Sequence, residues 1–157
     1  SLARYDVIMS LIRQQLSRIG VSVDTYSTTT EDVISSARGQ AYDAAFIVTV
    51  DSYPVEPDQF LMFSTAGDVP GTGVNYGSYA NPDVSSLLLQ ARTEPTCDLE
   101  IRADLYRQAQ TLIQQDQPYV WLFVVDQMLA VRAGVENFAP YPQYPFWNLD
   151  QWYVNEP

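Results

Sequence analysis

Apolar residues along the chain switch between helical and strand-like spacing. Over residues 2–19 they fall at Tyr5, Ile8, Met9, Ile12, Leu16 and Ile19, the spacing of one helix face, and Gly20 follows where a left-handed residue can close the helix. Val21 and Val23 alternate with Ser22 and Asp24, which predicts a short half-buried strand over 21–26. Thr28 and Glu31 have capping-box spacing ahead of Val33, Ile34 and Ala37, and Gly39 marks the end of this second helix. Residues 44–50 carry no charge and end in Ile47, Val48, Thr49 and Val50, a pattern that suits a strand buried on both faces. Residues 21–50 thus predict a β-α-β unit with parallel strands and a right-handed crossover, which puts Ser27 and Asp51 at one sheet edge.

Beyond Pro54 and Pro57 the pattern breaks, and residues 64–80 are rich in glycine without any apolar period. Pro82 then stands at the first position of a helix that presents Val84, Leu87, Leu88 and Ala91 and ends near Arg92. Residues 99–115 form the clearest helix, with Leu105, Ala109 and Leu112 on one stripe, Tyr106 and Ile113 beside it, and Asp98 near its start, four residues before Arg102. After Pro118 the run YVWLFVV over 119–125 predicts a buried strand with Trp121 in the core, and 128–132 a shorter one. Residues 136–157 interleave aromatics with prolines and predict irregular structure. The order of elements indicates one α/β domain.

Composition narrows the chemistry. The chain has 157 residues, 46% of them hydrophobic, and a net charge of −11 from 19 acids and 8 bases, all of the bases arginine. So acidic a surface repels phosphate backbones, and nucleic acid is not an expected partner. Without His or Lys there is no Ser-His-Asp triad, no Cys-His pair, no histidine metal site and no Schiff base. Cys97 is the only cysteine, which removes intrachain disulfides and thiolate clusters. No cofactor is expected. No stretch is long and apolar enough to cross a bilayer, and the start at Ser1 suggests a chain cut from something longer.

Carboxylates, hydroxyls, aromatics and arginine remain. Asp51 stands just past the carboxyl end of the 44–50 strand, the edge at which open parallel sheets bind ligands. Glu56 and Asp58 share its loop. With Asp51 they also offer a carboxylate pair of the kind glycoside hydrolases use, against the plainer reading of an acid-rich turn. Asn75, Tyr76 and Tyr79 lie in the glycine-rich loop, where polar side chains can line a cleft.

Taken together, the segments resemble the C-terminal part of the extracytoplasmic solute-binding proteins of ABC importers, in the oligopeptide, dipeptide and nickel class. The resemblance rests on Gln15-Leu16-Ser17-Arg18-Ile19-Gly20-Val21, on Tyr42-Asp43-Ala44, on Asp51 with Glu56-Pro57-Asp58 and Phe60-Leu61, and on Asn75, Tyr79 and Asn81-Pro82. Downstream it continues through Arg102, Leu105-Tyr106, Ala109-Gln110, Leu112-Ile113, Asp116 and Pro118. Val48 or Thr49 stands where members often carry Trp, and Ser85 where they often carry Asp.

The resemblance implies a periplasmic-binding-protein-like (type II) lobe with a β-α-β core and a mixed sheet flanked by helices. On this reading residues 1–157 are a single α/β lobe of a larger two-lobe binding protein, with 136–157 running toward the missing N-terminal lobe. It further implies a non-enzymatic, extracytoplasmic, monomeric receptor that closes on a peptide or comparable solute and presents it to a membrane permease. Asp51 would pair with a ligand ammonium, and Thr49, Val50 and Tyr53 would flank it. An oligosaccharide receptor of the same family is the first alternative, favoured by the aromatic content; the acid-pair hydrolase is the second.

Overall fold

The computed structural model describes residues 2–49, 57–124, 128–141 and 144–155. They fall into two units, Ser1–Ile47 and Val48–Pro157.

In the first unit, helix α1 spans Leu2–Ser17. Its end is a turn in which Gly20 takes φ 84° and the Val21 N–H returns to the Leu16 carbonyl at 3.1 Å. Helix α2 spans Thr30–Arg38, and its cap lies one residue later than the predicted one: Thr29 Oγ1 accepts from the Asp32 N–H, while the Thr28 hydroxyl donates to the Asp32 carboxylate at 2.6 Å. Ala37 on α2 is buried, and Tyr5 packs against Phe46 with ring centroids 5.6 Å apart. Residues 21–29 and 44–49 are neither helix nor strand and form no ladder among the described residues, so the predicted β-α-β pairing is not made there. Strand propensity is a local property of β-branched residues; a ladder needs a second strand beside them.

The second unit is built on two antiparallel helices. α3 spans Pro82–Thr93 and α4 spans Leu99–Asp116. Asn81 caps α3 by accepting from the Asp83 and Val84 N–H groups, and Asp98 caps α4 by accepting from those of Glu100 and Ile101. Val84, Leu88 and Ala91 of α3 close on Tyr106, Ala109 and Ile113 of α4, with Phe63 beneath them. The buried stripe of α4 is therefore centred on Tyr106 and Ile113, while the predicted Leu105 and Leu112 sit at its margin. Arg102 donates Nε–H to the Ala91 carbonyl at 3.1 Å and covers the Tyr106 ring at 5.8 Å, tying the end of α3 to the start of α4.

Residues 119–124 correct a prediction. They pair in no ladder among the described residues, and Trp121 is 57% and Val124 93% exposed, where a core strand was expected. An apolar run states that a segment is fit for burial, and burial requires a covering face. Residues 128–132 are likewise in no ladder and exposed. The last segment is more ordered than its prolines suggested: strand β1, Val135–Glu136, pairs antiparallel with β2, Tyr153–Val154. Asn148, buried there, donates to the Asn137 carbonyl at 2.8 Å and accepts the Trp152 indole N–H at 2.9 Å.

Candidate functional site

The glycine-rich loop is folded tightly on itself. A Cβ at Gly67 would lie 1.8 Å from the Leu61 carbonyl oxygen, so only glycine lets these two stretches of backbone meet. Asn75, 2% exposed, holds the loop from inside: its amide donates to the carbonyls of Ser64 (3.0 Å) and Tyr79 (2.8 Å), and its oxygen accepts the Tyr79 N–H (3.0 Å). A buried side-chain amide satisfied in this way is a backbone lock.

That lock delivers Tyr79 to the end of α4. The Tyr79 hydroxyl donates to Asp116 Oδ2 at 2.5 Å, and the Asn81 amide donates to the same oxygen at 2.7 Å. Burial, and after it the Asp116 carboxylate, pushes the Tyr79 phenol up to about 12, while the Tyr79 and Asn81 donors hold Asp116 below the usual carboxylate range. Asn81 thus caps one helix and binds the last residue of the other.

This cluster makes stability pH-dependent at both extremes. Asp116 is depressed in the folded chain, so its contribution is present above the ordinary carboxylate range and is lost as pH falls through its folded value. Tyr79 is raised, so its contribution is present below pH 10 and is lost as pH rises toward about 12. Thermal denaturation should show Asp116→Asn less stable than wild type at pH 7, with the gap closing toward pH 3. Parallel curves from pH 7 to 3 would remove Asp116 from this role.

At the far end of α3, Asp58 Oδ1 accepts the Phe60 N–H at 3.1 Å, and Oδ2 lies 3.4 Å from Arg92 Nε. The Arg92 guanidinium stands 5.7 Å over the Phe60 ring. Asp58 is therefore already paired with a cation of its own chain. Arg92, read from the sequence only as a helix end, supplies that charge.

Between these two features lies a half-open hollow of about 250 Å³. Its floor is Phe63, Leu88, Tyr106 and Ile113, with Trp121 as one wall; Pro57 and the side-chain amides of Gln59, Gln110 and Gln114 form the rim. Phe63, Tyr119 and Trp121 brace the wall, with ring centroids 5.6 to 6.4 Å apart. Tyr106, Gln110 and Gln114 recur every four residues along α4, a periodicity visible in the sequence once that face of the helix is known to be open.

Of the predicted site residues, Val50, Asp51, Tyr53 and Glu56 lie outside the described residues. Thr49 is exposed. Asp58 pairs with Arg92, Asn75 is committed to its own loop, Tyr79 is bonded to Asp116, and Tyr76 is half-buried in the loop. Among the described residues no group of three or more His, Cys, Asp or Glu could hold a metal ion, and no helix is long and apolar enough to cross a membrane.

The fold has a counterpart of known structure. It matches the solved structure of the oligopeptide-binding protein AppA from Bacillus subtilis in complex with a nonapeptide, with a TM-score of 0.74 and 23% identity over 96% of this chain and 29% of that one. In sequence the chain is 24% identical to AppA of Bacillus subtilis (strain 168) over 147 residues, which cover 94% of this chain and 26% of AppA. The chain thus spans about a quarter of the length of the relative it matches. No family model matches the chain.

Proposed function

We propose that the chain is part of the substrate-binding component of an ABC importer, an extracytoplasmic receptor that captures oligopeptides without chemical change. The observation that carries this reading is the alignment to an oligopeptide-binding protein along 94% of the chain, together with a shared fold. The chain supplies most of the C-terminal lobe, and a second lobe closes with it around the ligand before the complex meets its membrane permease. The receptor acts as a monomer.

The apolar runs at 44–49 and 119–124 are strands of a mixed sheet in that lobe, paired with chain from the rest of the receptor. Their exposed valines and aromatics are the support for this: a solvated surface has no use for Val120, Phe123 and Val124 in one stretch. Asp51 is the anchor for the ligand ammonium, with Glu56 beside it. Asp58 is less suited, since Arg92 already neutralises it.

Thermal shift of the full-length receptor with short peptides, against cello- and manno-oligosaccharides, tests the assignment, because a ligand that binds the native state raises its apparent stability. Peptides are expected to stabilise it. Stabilisation by oligosaccharides alone would replace the peptide reading with a sugar receptor.

A further inference from the structure

Helix α4 ends at Asp116, whose carboxylate stands at the negative end of the helix dipole, a place that does not favour a negative charge. What holds it there comes from outside the helix: the Tyr79 hydroxyl and the Asn81 amide both donate to Oδ2, at 2.5 and 2.7 Å. Each donor is anchored in turn. Tyr79 is held by the Asn75 side chain through both its N–H and its carbonyl, and Asn81 by its role as the cap of α3. Two anchored donors on one charged oxygen fix where the end of α4 lies against the loop.

Two residues separate Asp116 from the apolar run 119–124, and both are constrained. Gln117 takes φ 48°, a left-handed conformation that is costly for a residue with a side chain, and is held in it by its N–H on the Ile113 carbonyl (3.0 Å) and its side-chain amide on the Gln114 carbonyl (2.6 Å). Pro118 has a fixed φ and no N–H with which to resume the helix. The direction of the run is therefore set at 116–118. Beyond that point the Tyr119 and Trp121 rings meet Phe63, with centroids 5.9 and 6.4 Å away, while Val120 and Val124 are left exposed. The Tyr79 ring stands edge-on to the same Phe63 at 6.2 Å. Tyr79 thus touches the end of α4 through its hydroxyl and, through its ring, the residue on which the run rests.

We infer that Tyr79 and Asn81 are positioning residues that act through Asp116: by fixing the turn at 116–118 they lay Tyr119 and Trp121 on Phe63 and present the run 119–124 to the chain that pairs with it in the receptor. The inference rests on the reading of that run, proposed above, as a strand completed by the rest of the receptor. It gives the glycine-rich loop a task beyond its own folding, since the Asn75 lock is what brings Tyr79 to α4.

The test is amide hydrogen exchange, read by mass spectrometry, on the full-length receptor at neutral pH, comparing wild type with Tyr79→Phe and Asp116→Ala. Tyr79→Phe keeps the ring against Phe63 and removes only the hydroxyl; Asp116→Ala removes the shared acceptor and also a carboxylate that α4 does not favour. In wild type the amides of 119–124 should be protected, as paired strands are. Both variants should speed exchange across 119–124 by at least about fivefold while α3 and α4 change by less than about twofold, the loss of one hydrogen bond being felt locally. Asp116→Asn, which retains an acceptor for Tyr79, should fall between wild type and Asp116→Ala. Exchange that rises equally in α3, α4 and 119–124 would reduce the cluster to a general support of the helix pair and overturn the positioning role. So would protection of 119–124 that neither variant alters, and in both cases the paired strand would stand. Absence of protection at 119–124 in wild type would overturn the strand reading and this inference with it.

Discussion

Asp51→Asn in the full-length receptor is expected to weaken free-amine peptides by a few tens to a few thousandfold, or about 2–5 kcal/mol, because one charge of a buried pair is left without its counterion. N-acetylated peptides carry no ammonium, so they should bind wild type poorly and be nearly indifferent to the substitution. Asp58→Asn should behave differently. Its carboxylate is held by Arg92 and the Phe60 N–H, so its loss should alter stability by less than about 1 kcal/mol and leave the preference for free amines intact. If Asp51→Asn binds free-amine peptides as tightly as wild type, the anchor is elsewhere, and Glu56 is the next acid to test.

Leu88→Ala should lower the stability of the second unit by about 2–5 kcal/mol. Leu88 is 2% exposed between the two packed helices, and truncation would leave a cavity bordered by Phe63, Tyr106 and Ile113 that cannot collapse without moving both helices. The adjacent Leu89 points outward, 47% exposed, and Leu89→Ala should cost less than about 0.5 kcal/mol. Urea denaturation reads the contrast as a fall in midpoint at unchanged slope for Leu88→Ala and little change for Leu89→Ala. Equal effects would mean that the α3–α4 contact does not hold this unit together.

What could be read in the sequence was local. The caps at Asn81 and Asp98, the Pro82 start and the buried face Val84, Leu88 and Ala91 follow from neighbours three or four residues apart, and the helices formed as spaced. The runs at 44–50 and 119–125 were read as buried strands because their residues suit burial, yet a strand's pairing and cover depend on distant chain and have no local signature. The same limit applies to the candidate site. Acid, amide and phenol were visible as residue types, but that Asp58 faces Arg92 and Tyr79 faces Asp116 is decided by how the loop folds onto the helices. Asn75 and Tyr79 were read as candidate ligand contacts because loops carry function; in this loop Asn75 carries the backbone of the loop itself. The hollow was not read at all, since its lining is assembled from four separate stretches of chain.

The five residues that join α3 to α4 bear on how the chain comes to be folded. Glu94 gathers the Thr96 and Asp98 N–H groups and the Thr96 hydroxyl onto one carboxylate at 2.6 to 3.0 Å, so the connection is a formed turn rather than a slack tether. Closing so short a loop costs little chain entropy, and the contacts it brings together are near in sequence. The helical hairpin can therefore assemble before any long-range pairing exists, while a polypeptide is still emerging from a ribosome. The apolar run at 119–124 then has a finished surface to add to, which shortens the time in which it is open to other chains.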